Sequence, residues 1–80
     1  MSRESIFERL NIVFRDVFDD ESIVVNDDTT SADIDGWDSL AHISLIASVE
    51  EEFGIKFQMK DIISMKKVGD MVDIIIDELE

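Results

Sequence analysis

Residues 33–55 read DIDGWDSLAHISLIASVEEEFGI, and the fold turns on this stretch. Asp38 stands where a carboxylate can accept hydrogen bonds from the first free N–H groups of a helix, which makes it a candidate N-cap. After it, Leu40, Ile43, Leu45, Ile46, Ala47, Val49 and Phe53 recur at helical spacing. Gly54 suits the left-handed position that closes a last turn. The pattern predicts a helix from Ser39 to about Phe53. Its apolar surface is wider than one buried stripe needs, so part of it is available to a ligand or a partner. Ser39, at the helix start, needs a purpose.

Upstream, Ile6, Phe7, Leu10, Val13, Phe14, Val17 and Phe18 form one apolar face. They predict a first helix from about Arg3 to Phe18. From Asp19 to Asp38 the chain turns irregular. Ile23, Val24 and Val25 make a short extended patch, and Ile34 and Trp37 are the expected anchors of the loop to the core. A loop of this length is uncommon in a small domain and is often functional.

Downstream, Ile55 and Phe57 alternate with polar residues and are expected in the core. Met59 to Ser64 reads as a short helix with Ile62 and Ile63 inward. A last helix begins near Val68 and presents Met71, Val72, Ile75, Ile76 and Leu79. Its start is poorly capped, because Lys67 is a weak N-cap and Gly69 lowers helix propensity. Asp70 lies near the positive end of the helix dipole and offsets this in part. The expected fold is all-α: one domain over residues 1–80, a small four-helix bundle with a long first loop and a short third helix.

Twenty acidic residues against seven basic ones give a formal charge of −13 on 80 residues. Such a surface repels nucleic acid and anionic membranes and favours basic protein partners or cations. No apolar run approaches the length of a membrane span. The N-terminus has no signal-peptide core. Zero cysteines suit a reducing compartment. The expectation is a cytoplasmic monomer with no specific metal site. Weak cation binding is expected, if anywhere, among Asp19, Asp20, Glu21, Asp27 and Asp28.

Three chemistries compete at Ser39. A hydrolytic Ser39–His42 pair lacks a second orienting group and an oxyanion loop, and His42 is the only histidine. An EF-hand with Gly36 at its sixth position would put Ser31 first and His42 twelfth, so both strongest ligand positions fail. Modification by another enzyme needs only an exposed hydroxyl at a helix start, where free N–H groups favour a phosphate.

The third chemistry coincides with a resemblance. The run GWDSLAHISLIASVEEEFGIKF, residues 36–57, resembles the signature of acyl carrier proteins, and VGDMVDIII, residues 68–76, is similar to their last helix. The likeness spans nearly the whole chain. It implies that Ser39, flanked by Asp38 and Leu40, carries a covalent 4′-phosphopantetheine arm. It implies a phosphopantetheinyl transferase using coenzyme A and magnesium, and thioester cargo passed between partner enzymes. The chain would catalyse nothing itself. Leu40, Ile43 and Ala47 match apolar contact positions, and Glu50 and Glu51 match acids that meet basic partner patches.

Two positions depart from carriers of bulk fatty acid synthesis. Ala41 and Ser44 stand where those carriers usually have acids. Trp37 resembles carriers of polyketide, peptide or specialised lipid pathways. A specialised pathway is therefore expected, with bulk fatty acid synthesis as the alternative. An unmodified acidic interaction module is the alternative from another class.

Overall fold

A computed structural model describes residues 1–80 as four helices and no strand. They are α1 (Arg3–Val17), α2 (Ser39–Phe53), α3 (Met59–Ser64) and α4 (Val68–Leu79). A single 3-10 turn, Ser31–Asp33, interrupts the first loop.

Three helices build the core. Ile6, Leu10, Val13 and Phe14 of α1 meet Leu45, Ile46, Val49 and Phe53 of α2. Val68, Met71, Val72 and Ile75 of α4 complete the interior. The connecting segments add Ile23, Val25, Ile34, Ile55 and Phe57. Burying side chains of this size contributes about 1.5–3 kcal/mol each before chain entropy is set against it. Arg9 ties α1 to α2 from outside: its guanidinium donates to the Glu52 side chain and carbonyl, each at 2.8 Å.

Two expected core residues face water instead. Ile63 is 75% exposed, whereas its neighbour Ile62 packs partly against the core. A helix of only six residues has room for one inward stripe, and Ile62 with Met65 fills it. Leu79, the last residue of α4, is also exposed.

The long loop is fastened by polar contacts. Asn11 Oδ1 accepts the Val25 N–H at 2.7 Å, and Arg15 Nε donates to the Ile23 carbonyl at 2.8 Å. The segment therefore runs extended along α1, with Ile23 and Val25 buried and Val24 outward. Farther on, the loop caps α4. The Val68 N–H donates to the Thr29 carbonyl at 2.8 Å, and the Gly69 N–H to the Asp27 carbonyl at 3.0 Å. Asp70 reaches back and accepts the Lys66 and Lys67 N–H groups at 3.0 and 3.3 Å. The start of α4 is thus well capped, by partners forty residues away and by a carboxylate rather than by Lys67.

Arg3 clasps the same corner. Its guanidinium donates to Asp27 and, at 2.9 Å, to Asp73. These hydrogen bonds, first to Asp27 and then to Asp73, raise the Arg3 pKa above its ordinary value. The bond from Arg3 holds the Asp27 carboxyl below the usual carboxylate range.

Candidate functional site around Ser39

The approach to α2 is built by a turn and an aromatic cluster. The Trp37 N–H closes the turn on the Ile34 carbonyl at 3.4 Å. Gly36 sits third in that turn with φ +85°, the positive value that a type II turn requires there. Trp37 then packs edge-on against Phe14, centroids 5.3 Å apart, and against Phe18 at 5.9 Å. Such aromatic pairs contribute about 0.5–1.5 kcal/mol each beyond the area they bury. The residue just before the helix is thereby pinned to α1.

Asp38 caps the helix as expected: its carboxylate accepts the Ala41 N–H at 2.8 Å. Ser39 is the first helical residue and is exposed. At the far end Gly54 takes φ +66°, the left-handed close.

Ser39 opens onto a cleft of about 360 Å³. Trp37, Ile62, Met65 and Met71 line its apolar part. Asp38, His42, Lys66 and Lys67 supply the charged and titratable part. Trp37 Nε1–H donates to His42 Nδ1 at 3.0 Å. The nitrogen that a hydrolytic base turns toward its orienting carboxylate is therefore occupied by an indole donor, so a Ser39–His42 pair has no such third group.

The apolar residues just past Ser39 are not core. Leu40 is 78% and Ile43 65% exposed, and Ala47, Ser44 and Glu51 are also exposed. Met59 and Ile63 of α3, the second of them expected inward, add two further exposed apolar side chains. Glu50 serves the fold itself: its half-buried carboxylate accepts the Phe57 N–H at 2.8 Å and steers the chain out of α2.

No three His, Asp or Glu side chains gather into a group that would hold a metal. Within the acidic loop, Asp27 is committed to Arg3. Asp20 accepts the Ser22 hydroxyl and N–H, which lower its pKa. No helix is long and apolar enough to cross a membrane.

Residue types missed in the sequence are the cationic wall and the Trp37–His42 contact. The signal for the first was present: Lys66 and Lys67 are two of only seven basic residues, and they are adjacent.

Residues 8–75 match the family described as phosphopantetheine attachment site. The chain carries such a domain, whose cofactor is a covalently attached 4′-phosphopantetheine. Beyond that class, the chain belongs to the acyl carrier protein family. It is 36% identical over 77 residues to the acyl carrier protein of Coprothermobacter proteolyticus, covering 94% of this chain and 92% of that one. It is 31% identical over 74 residues to the acyl carrier protein of Thermotoga maritima, covering 92% and 91%. The solution NMR structure of holo acyl carrier protein from Geobacter metallireducens superposes with a TM-score of 0.86 at 44% identity. That match covers 91% of this chain and 84% of the other.

Proposed function

We propose that Ser39 is the residue that carries the 4′-phosphopantetheine arm. One observation supports this most: Ser39 is the exposed first residue of α2, at the mouth of the cleft, with the Asp38 carboxylate bonded to the Ala41 N–H. The cap holds the helix start while the Ser39 hydroxyl remains accessible. A phosphopantetheinyl transferase using coenzyme A and magnesium forms one P–O bond at Ser39 Oγ and breaks the pyrophosphate P–O bond of coenzyme A, so that adenosine 3′,5′-bisphosphate leaves and the hydroxyl gives up its proton. The arm's terminal thiol supplies thioester chemistry for the acyl cargo. The chain contributes no catalysis: it presents cargo and offers surfaces. Those surfaces are Leu40, Ile43 and Ala47 with the acid Glu51, read by partners with basic patches. Glu50 adds less than its position suggests, since one carboxylate oxygen is spent on Phe57.

The pathway reading is a specialised one, supported by half-buried Ala41 and exposed Ser44 in place of acids on α2. We take the working form to be a single-domain monomer in the cytoplasm.

The attachment is tested by incubating unmodified protein with coenzyme A, magnesium and a broad-specificity transferase. Wild type gains one phosphopantetheinyl mass, and Ser39→Ala gains none. Equal gain by the variant refutes the assignment. No gain by wild type favours the unmodified interaction module.

A further inference from the structure

The Trp37–His42 contact constrains the chemistry of the imidazole. An indole nitrogen can only donate, so Nδ1 must hold a lone pair toward it. In the neutral ring the proton then sits on Nε2. Trp37 cannot swing away freely, because Phe14 and Phe18 hold its ring. The ring orientation and tautomer of His42 are therefore both set from outside α2, leaving one N–H donor to spend.

His42 lies one turn beyond Ser39, and residues three apart share a helix face. Both line the same cleft. The other charged side chains lining it are Asp38, already bonded to Ala41, and Lys66 and Lys67. The ion pairs of the chain use Arg3 and Arg9, and neither lysine takes part in one. A protein of charge −13 thus places a donor and two cations around the Ser39 cleft. That combination fits an anion held at Ser39.

We propose that His42 is a phosphate-binding residue. Its Nε2–H donates to an oxygen of the phosphodiester on Ser39, Lys66 and Lys67 supply charge around it, and Trp37 is the positioning residue that fixes the imidazole. The proposal rests on the reading that Ser39 carries the arm. It makes the base of the arm a held segment, with free swing beginning beyond the phosphate.

Imidazole is the side chain that ordinarily changes charge between pH 5 and 8. A phosphodiester has no second proton to lose and keeps a constant charge across that range. An inflection in its phosphorus resonance there reports a titrating neighbour. The experiment starts with wild type, His42→Gln and Trp37→Phe, each converted by the transferase and checked by intact mass and circular dichroism. A wild-type chain that gains no mass refutes the attachment reading at this step, before the present proposal is tested. The modified proteins then go to phosphorus NMR across pH 5–8, with imidazole nitrogen spectra recorded alongside.

In wild type the phosphorus resonance and the His42 ring resonances change together across the series, and the neutral ring shows a single Nε2–H tautomer. In His42→Gln the inflection is lost. In Trp37→Phe, which keeps a ring but removes the donor, the two tautomers mix. A phosphorus resonance that stays flat in modified wild type, or inflects equally in His42→Gln, overturns the assignment. A single unchanged tautomer in Trp37→Phe overturns the positioning role.

Discussion

Gly69 lies so close to Asp27 that a β-carbon on it would stand 2.7 Å from the Asp27 carbonyl oxygen. That oxygen is also the one that accepts the Gly69 N–H. The loop caps α4 only because residue 69 has no side chain. Gly69→Ala gains about 1 kcal/mol of intrinsic helix propensity. Crowding against packed backbone costs about 1–3 kcal/mol. The expected net result is lower stability. In a domain of this size each kcal/mol corresponds to roughly 4–8 °C in melting temperature. A variant that melts at or above wild type contradicts the close approach.

The clasp on that corner sets an acid dependence. The Arg3 bond depresses the folded-state pKa of Asp27. The stability it confers is therefore present above the unfolded value, about 3.9. It is lost as pH falls through the depressed folded value. Wild type should outlast Asp27→Asn in melting experiments near neutral pH, and the two curves should converge below about pH 4. The pair is exposed, so the gap is modest. A gap that persists undiminished in strong acid would show that packing, not charge, explains it.

Removing the cap of α2 gives a cleaner stability reading. Asp38→Ala deletes the acceptor of the Ala41 N–H and should cost about 1 kcal/mol. Asp38→Asn keeps an acceptor and should lose less. Urea denaturation of the two variants ranks them directly, and equal losses would argue against the capping bond.

Self-repulsion is the next target. A charge of −13 over so small a surface makes the melting temperature rise with added salt, because screening weakens repulsion between exposed carboxylates. Magnesium should add more than sodium at equal ionic strength. A melting curve indifferent to both salts would remove repulsion from the account.

Partner choice is tested on the modified protein by Ala41→Asp with Ser44→Glu. Exposed charge pairs contribute roughly 0–1 kcal/mol each. Two together change docking by up to about thirtyfold, since about 1.4 kcal/mol is one decade. With enzymes of generic fatty acid synthesis, the double variant should show the higher kcat/KM at low salt, and the advantage should shrink as salt rises. Wild type performing equally well would remove the main support for a specialised pathway.

The helices were legible because their signals are local. Asp38, Gly54 and the apolar spacing between them mark the two ends of α2, Ser39 and Phe53, and those are its observed ends. The starts of α3 and α4 likewise fall at Met59 and Val68. What periodicity cannot carry is a hydrogen bond between distant segments. The carbonyls of Asp27 and Thr29 at the head of α4 leave no repeating trace in the chain, and neither does the Glu50 carboxylate under Phe57. Gly69 read as a weakness for the same reason, its partner being invisible. Ile63 was misplaced because a six-residue helix has too few turns for its spacing to fix which direction is inward, and composition does not choose between two adjacent isoleucines. At the site, Ser39 stood out through its neighbours in sequence. Lys66 and Lys67 arrive there only once the chain has folded.

The shortness of α3 has a mechanical meaning. None of its six residues is fully buried, and Ile62 alone leans on the interior. Segments with few apolar contacts open locally far more often than the whole domain unfolds. Amide hydrogens of α3 should therefore exchange well ahead of those in the buried turns of α1, α2 and α4. The cleft beside Ser39 takes Ile62 and Met65 from this part of the chain, while Trp37 and Met71 come from firmly packed parts. It is a room with fixed masonry on one side and a hinged panel on the other. The width of the cleft is set by how far the panel swings, and its opening leaves the core contacts of α1 with α2 in place.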